Sequence, residues 1–273
     1  MPELPEIEQV RKTLVPHIIN KIVKRVEVRL PRMIKHPSAE QFADILIGQC
    51  IVDLKRNGKY LTIEFATNLK LVMHLRMTGA LIVTEEDAAE PKYAKVKIEL
   101  TGGKILWFCD IRTFGTLHLI INDDITISGL AELGPEPSTP SLNTDYLLKI
   151  FQRRKGPVKG VILDQTVIAG LGNIYADEAL ATANILPERS ANSLSVAEIG
   201  KLISAINAVI AQGIKNHGTT FRDYKDGNGE QGSNQKYLLV YGRKGQPCKN
   251  CGTVLVGTKV AGRGTTFCPH CQH

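Results

Sequence analysis

KYLTIEFATNLKLVMHLRMTGALIVT, residues 59–84, alternates apolar and polar side chains two by two, follows the turn pair Asn57-Gly58 and is interrupted at Gly79. A period of two sends successive side chains to opposite faces, so this stretch reads as half-buried strands. The pattern extends outward on both sides through KIVKRVEVRL (21–30), CIVDLKR (50–56), AKVKIEL (94–100), KILWFC (104–109) and FGTLHLII (114–121), with Gly102-Gly103 as a further turn. Some eight strands over 21–121, with no helix between them, predict an antiparallel sandwich or barrel. Before them, Ile7, Val10 and Leu14 recur at helical spacing and Pro16 closes the run, which predicts a short amphipathic helix over 5–15.

Beyond the strands the Pro-rich stretch LGPEPSTPSLNTDY (133–146) reads as a linker, with the boundary near 133. The pattern then turns helical, in YLLKIFQRR (146–154), in 173–182, and in a long helix announced by a Ser195/Glu198 capping box. Residues 217–236, HGTTFRDYKDGNGEQGSNQK, are polar and glycine-rich and predict a mobile loop. KYLLVYGR (236–243) and TVLVG (253–257) read as closing strands. The expectation is an α+β chain in three parts: a sandwich over 1–132, a helical domain over 133–236 and a cysteine-bearing hairpin over 237–273.

Lys and Arg number 34 against 27 Asp and Glu, for a net charge of +7, and such a balance favours polyanionic partners through counterion release. After Glu230 come Lys236, Arg243, Lys244, Lys249, Lys259 and Arg263 with no acidic residue. No uninterrupted apolar run reaches the roughly 18 residues of a membrane span, and MPELPEIEQV is acidic where a signal peptide is basic and apolar. These readings predict a cytoplasmic protein with no membrane partner, in a compartment where six cysteines serve as metal ligands or packed thiols rather than disulfides.

Four of them, Cys248, Cys251, Cys268 and Cys271, form two C-x2-C pairs with 16 residues between. That is the spacing of a four-thiolate zinc ribbon, and four protein ligands make the one Zn2+ structural. Gly252 permits the turn after the first pair; the other reading of the cluster is redox chemistry. Cys50 and Cys109, in strand-like runs, read as packed thiols. Between the pairs, VAGRGTTF (260–267) sets Arg263 between Gly262 and Gly264, where it either grips a phosphate or is a solvated turn arginine.

MPELPEIE at the start, GKYL (58–61), HLRMTG (74–79), DIRTFG (110–115), LGPEP (133–137), GLGNIYADE (170–178), VYGR (240–243) and GRGTTFCPHCQ (262–272) occur in that order. Together they make the chain resemble the formamidopyrimidine-DNA glycosylases along its whole length. The resemblance implies a β-sandwich, then a helix-two-turns-helix domain with a zinc ribbon. It also implies a base-excision-repair enzyme acting on double-stranded DNA that contains oxidised bases or abasic sites; since a symmetric partner has no obvious use on a single lesion, a monomer is expected. Such an enzyme removes 8-oxoguanine and formamidopyrimidines and cuts the strand by β,δ-elimination.

By the same resemblance the catalytic residues are Pro2, as an amine nucleophile once Met1 is gone, with Glu3, Lys59 and Arg263. An α-amine, with a pKa of about 7.7 to 8.0, is far more often unprotonated near neutral pH than a lysine. Glu6 is divided between helix capping and support of the site. His74 and Asn173 match phosphate-gripping positions, and Gly170 and Gly172 before a helix leave backbone N–H groups facing an anion there. Lys159 and Tyr241 are further candidates for backbone contact. Met77, Arg112 and Phe114 match the residues that fill the hole left by an extruded base, and 217–236 matches the segment that closes over that base and orders on binding.

Two positions depart from the pattern. Lys92, Tyr93, Ala94 and Lys95 stand where relatives commonly carry K-H-D-H, and Thr113 stands where a basic residue is frequent. An endonuclease VIII-like enzyme, which prefers oxidised pyrimidines, and a non-catalytic binder of damaged duplex are the rival readings.

Overall fold

The computed structural model describes residues 1–273, which form two compact units: Met1–Ala131 with Asn216–Ser233, and Glu132–Lys215 with Asn234–His273. In the first unit α1 (Leu4–Ile18) opens the chain and buries Leu4, Ile7, Val10, Leu14 and Ile18 along one stripe. It outruns the expected end at 15. Pro16 removes one backbone donor, but burial of Ile18 and the bond from Ile19 N–H to Val15 O carry the last turn past it.

Nine strands follow: β1 (Val23–Val28), β2 (Ile34–His36), β3 (Ile51–Asn57), β4 (Tyr60–Phe65), β5 (Leu69–His74), β6 (Gly79–Glu85), β7 (Ala94–Leu100), β8 (Lys104–Asp110) and β9 (Thr116–Ile121). The sequence reading missed β2, a three-residue strand that pairs parallel with β9. It also missed α2 (Ala39–Leu46), so the strands are not free of helix. Ser38 Oγ accepts Gln41 N–H at 3.3 Å, and Phe42 and Leu46, one turn apart, are fully buried.

The strands form a four-stranded sheet, β1-β7-β8-β6, and a five-stranded sheet, β2-β9-β5-β4-β3. Leu61, Ile63, Leu71, Met73 and Leu119 of one sheet share a core with Leu81, Val96, Leu106 and Phe108 of the other and with the apolar stripe of α1. This is the predicted sandwich. At the turn into β6 Gly79 is required, since a Cβ there would sit 2.4 Å from Leu75 O. A one-turn helix, α3 (Ser128–Ala131), ends the continuous part of the unit.

The second unit holds α4 (Thr144–Phe151), α5 (Val158–Ile162), α6 (Asn173–Thr182), α7 (Val196–Lys215) and the hairpin β10 (Val256–Val260) and β11 (Arg263–Phe267). The box that starts α7 is formed: Ser195 Oγ accepts Glu198 N–H at 3.3 Å and Glu198 accepts Ser195 N–H at 2.8 Å. By length and composition α7 is apolar enough to cross a membrane. Within this unit it packs on α4 and α6 and buries Ile199, Leu202, Ile206 and Ile210, the pattern of an amphipathic core helix.

Three expectations fail here for traceable reasons. KYLLVYGR is not a strand, because the N–H groups of Leu239, Val240 and Tyr241 donate to the Glu178 carboxylate at 2.6, 2.9 and 2.8 Å and are unavailable to a ladder. TVLVG contributes to a strand only from Val256. The hairpin is part of the same unit as the helices, while residues 216–233, expected with them, belong to the sandwich unit.

Candidate active site and zinc centre

Pro2 and Glu3 are buried at the N-terminal end of α1. Glu3 is the N-cap residue, and Glu6 closes a capping box on it, its Oε2 accepting Glu3 N–H at 2.8 Å. The other oxygen of Glu6 accepts Thr219 N–H at 2.7 Å. Glu6, 1% exposed, therefore caps the helix, the first of its two readings, and its second carboxylate oxygen also holds Thr219. Met1, by contrast, is 52% exposed.

Lys59 occupies the two-residue turn joining β3 to β4, after Gly58 at φ +57°, and is buried. His74, the last residue of β5, lies opposite Tyr60 and meets its ring edge-on at 4.6 Å. Its Nδ1 accepts Arg76 N–H at 2.9 Å, which leaves the proton on Nε2. Burial first, then the positive charges of Arg76 and Lys59, push its pKa down to about 3. His74 is thus a neutral donor.

Met77, Arg112 and Phe114 come together on the surface of the sandwich unit. The Arg112 guanidinium lies 4.8 Å from the centre of the Phe114 ring, and its Nη1 is 3.0 Å from Met77 Sδ. Met77 and Phe114 are 43% and 52% exposed, so neither is a core residue of this unit. Sequence reasoning missed the residue that holds them. Asp110, 1% exposed, accepts from Thr78 Oγ1 at 2.6 Å, from Arg112 N–H at 3.1 Å and from Gly115 N–H at 2.8 Å. Its signal was its place inside DIRTFG. Thr113 takes φ +57° and accepts from Arg32 Nη2 at 2.6 Å, and Tyr93 takes φ +63° and is exposed.

In the second unit Asn173 starts α6 as predicted, after Gly172 as N-cap, and its Nδ2 donates to Gly264 O at 3.0 Å. Arg263 is exposed at the first position of β11, directly after a two-residue turn of Ala261 and Gly262 at φ +47° and +75°. Gly264, read as part of the turn, is strand. Tyr241 is half-buried, its N–H held by Glu178.

Lys159 is a correction. It is fully buried, with Nζ 2.6 Å from Asp177 Oδ1, 2.7 Å from Thr265 Oγ1 and 3.1 Å from Gly264 O, so it has no surface to offer a phosphate. Asp177 and Glu178, both missed in the sequence, instead tie α6 to the C-terminal segments: Asp177 also accepts Thr266 N–H at 3.1 Å. Burial pushes the Asp177 carboxyl up to about 6 against the attraction of Lys159.

The four cysteine sulfurs lie within 4.8 Å of one another, with Cys248 and Cys271 4.0 Å apart and Cys251 and Cys268 3.5 Å apart. A tetrahedron with Zn–S bonds of about 2.3 Å has edges of roughly 3.8 Å, so the set fits zinc. Asn250 N–H and Cys271 N–H point to Cys248 Sγ and Cys268 Sγ at 3.4 Å each, and Gly252 takes φ +78° to close the first knuckle. All six cysteines are unpaired thiols. A structural zinc centre is the result.

Comparison with known proteins agrees with this geometry. Residues 1–117 match the formamidopyrimidine-DNA glycosylase N-terminal domain, 133–225 the H2TH domain of the same enzymes, and 245–273 a zinc finger found in FPG and IleRS. The formamidopyrimidine-DNA glycosylase of Moorella thermoacetica is 46% identical over 256 residues, 93% of each chain, and that of Desulfitobacterium hafniense is 43% identical over 273 residues, the whole of each. Among solved structures, a complex between the Lactococcus lactis Fpg and an abasic site containing DNA superimposes with a TM-score of 0.92 at 36% identity over 99% of both chains. The same Lactococcus protein bound to an N7-benzyl-Fapy-dG containing DNA gives 0.92 at 36% over 100% of both. The chain belongs to the formamidopyrimidine-DNA glycosylase family.

Proposed function

We propose that this base-excision-repair DNA glycosylase removes oxidised purines from duplex DNA with Pro2 as nucleophile. The observation that carries the reading is the buried Pro2-Glu3 pair held by the Glu6 box at the end of α1. With Met1 removed, the secondary amine of Pro2 attacks C1′ of the damaged nucleotide, the bond from C1′ to the base breaks, and the base departs with a proton. Ring opening leaves an iminium, cationic without further protonation, and this electron sink drives loss of the 3′ and then the 5′ phosphate. Glu3 is the proton shuttle on the opened sugar.

Lys59, His74, Asn173 and Arg263 bind the backbone around the extruded nucleotide, Tyr241 contributes to the same contact, and Met77, Arg112 and Phe114 fill the vacated stack. The segment 217–236 closes over the everted base. The enzyme works as a monomer in the bacterial cytosol and nucleoid, where its substrate lies. Zinc is no part of the chemistry; it fixes the hairpin that carries Arg263.

Borohydride trapping on an 8-oxoguanine:cytosine duplex tests the scheme. A covalent protein–DNA adduct is expected, and Pro2→Gly or a retained Met1 abolishes it. An adduct of undiminished yield in Pro2→Gly refutes the assignment. Faster cutting of thymine glycol opposite adenine would transfer the chain to the pyrimidine-preferring relatives.

A further inference from the structure

Glu8 belongs to the opening motif MPELPEIE and has no part in the chemistry above. Its carboxylate, on α1 and 13% exposed, meets two arginines. Arg11 Nη2 and Nε hold its two oxygens at 2.7 and 3.1 Å, and Arg56 Nε of β3 donates to Oε2 at 3.0 Å. Arg11 lies one turn along the same helix with its side chain partly exposed, the kind of pair that contributes little. Arg56 is different. Its side chain is also 13% exposed, and its Nη1 donates to Gly58 O at 3.2 Å, so one planar guanidinium spans from the helix to the turn between β3 and β4. Burial raises the Glu8 carboxyl, but the two arginines outweigh it and bring it below the usual carboxylate range, so the anchor is charged.

Of the two bodies joined in this way, the helix is already fixed, since Leu4, Ile7, Val10, Leu14 and Ile18 bury it in the core. The turn is not. It consists of Gly58 and Lys59 alone, and Gly58 at φ +57° brings the conformational freedom of a glycine. The carbonyl that Arg56 grips shares its peptide plane with the N–H of Lys59, so a bond to Gly58 O fixes the plane from which the Lys59 side chain starts. That side chain is buried, and its charge is close enough to His74 to help lower the pKa of the ring.

We infer that Arg56, anchored on Glu8, is a positioning residue for Lys59: it ties the Gly58–Lys59 peptide to α1 and so holds the ammonium in place before DNA arrives. The inference rests on the reading that Lys59 binds the backbone around the extruded nucleotide. It makes the Glu8–Arg56 pair a strut between the helix that begins at the nucleophile and the turn that carries the lysine.

The test compares the full chain with Arg56→Met, Glu8→Gln, Lys59→Met and the Arg56→Met/Lys59→Met double variant, in single-turnover cleavage of an 8-oxoguanine:cytosine duplex with enzyme in excess. Arg56→Met is expected to slow cleavage about tenfold, since misplacing a contact group by about 1 Å can cost up to roughly a hundredfold, and Lys59→Met at least as much. Once Lys59 is methionine, Arg56→Met costs less than about twofold, because the turn has no ammonium left to misplace. Glu8→Gln, which keeps an acceptor oxygen without the charge, loses about threefold in the parent background and less than about twofold beside Lys59→Met. An arginine that only supports the fold would cost the same factor in both backgrounds, and that result overturns the inference, as does an unaltered rate in Arg56→Met. If Arg56→Met does not fold, Arg56→Lys, which keeps a charge for Glu8 without the planar fork, is put through the same cycle, and equal factors overturn the inference there too. A parent chain inert on this duplex sinks the proposed function itself, and Lys59→Met at the parental rate removes the lysine from the site and the inference with it; neither resembles a failed cycle.

Discussion

Lys159 Nζ and Asp177 Oδ1 lie 2.6 Å apart with side chains 0% and 1% exposed. Removing one partner of such a pair strands a buried charge, at a cost of about 3–5 kcal/mol. Lys159→Met is expected to lower unfolding stability by that order and to make it more pH-dependent. The Asp177 carboxyl is already raised to about 6, by burial first, with Lys159 opposing. Without the lysine it rises further, so the folded state holds its proton more tightly than the unfolded chain. Stability is then fullest in acid and falls as pH climbs through the folded pKa. Urea melts of parent and variant at pH 5 and pH 8 check this, and a deficit relative to the parent that does not grow from pH 5 to pH 8 contradicts it.

The same geometry separates Lys159 from Arg263 in DNA binding. Each phosphate neutralised steepens the dependence of log affinity on log salt by about 0.9. Arg263, exposed beside the hairpin turn, is expected to contribute one such step, so Arg263→Gln flattens the slope by about 0.9 on a duplex with a reduced abasic site. Lys159→Met weakens binding without changing the slope, because the ammonium faces Asp177 and not solvent. A flattened slope in Lys159→Met contradicts the reading that its ammonium is buried against Asp177 and meets no phosphate.

His74, held near 3 from an ordinary 6.5 by burial and the nearby charges of Arg76 and Lys59, must be uncharged in the folded chain. The unfolded chain binds its proton more readily, so the contribution of His74 is complete above about pH 6.5. It is lost by about 1.4 kcal/mol for each pH unit as pH falls from there toward 3. His74→Gln should remove that share of the acid sensitivity, read as a shallower decline of melting temperature between pH 6.5 and 4.5. NMR of the ring should find the proton on Nε2 throughout the neutral range.

Much of this was legible because it is local. The C-x2-C pairs name their own chemistry, and α6 begins at the asparagine that GLGN predicts. What escaped was decided by partners far along the chain. Lys159 looks like a surface lysine until Asp177 and Thr265 are brought to it. KYLLVYGR has the composition of a strand, but Glu178, some sixty residues earlier, takes its donors. The segment 217–236 is flexible by composition and ordered by Thr13, Glu6 and Val83. Helix α2 is the exception, since the Ser38/Gln41 box and the Phe42/Leu46 spacing were visible and were passed over among strands.

Arg112 links Met77 to Phe114 on an exposed surface, so truncating any of the three should leave stability within about 0.5 kcal/mol. Extrusion of a base costs a few kcal/mol in lost stacking, and a poorly filled hole returns part of that to the barrier. Phe114→Ala and Arg112→Ala are expected to slow 8-oxoguanine excision about tenfold at unchanged melting temperature, with Arg112→Ala the worse because it frees both neighbours. Asp110→Ala should reproduce the double loss by releasing Thr78, Arg112 and Gly115 together. Unaltered excision in Arg112→Ala contradicts the void-filling role.

Zinc removal should disable the chain without unfolding the sandwich. Four thiolates at tetrahedral spacing bind with about 10 kcal/mol or more, and the hairpin otherwise buries few large side chains: Leu255, Val260 and Phe267. Without the ion β10 and β11 lose their closure, and Gly264 O and Thr265 leave Asn173 and Lys159. A chelator with mild thiol titration is expected to release one zinc per chain and abolish lesion binding. Near-ultraviolet signals from Trp107, on β8 of the other unit, should stay unchanged. Release of two ions, or loss of the Trp107 signal together with the metal, contradicts a single structural centre confined to the hairpin.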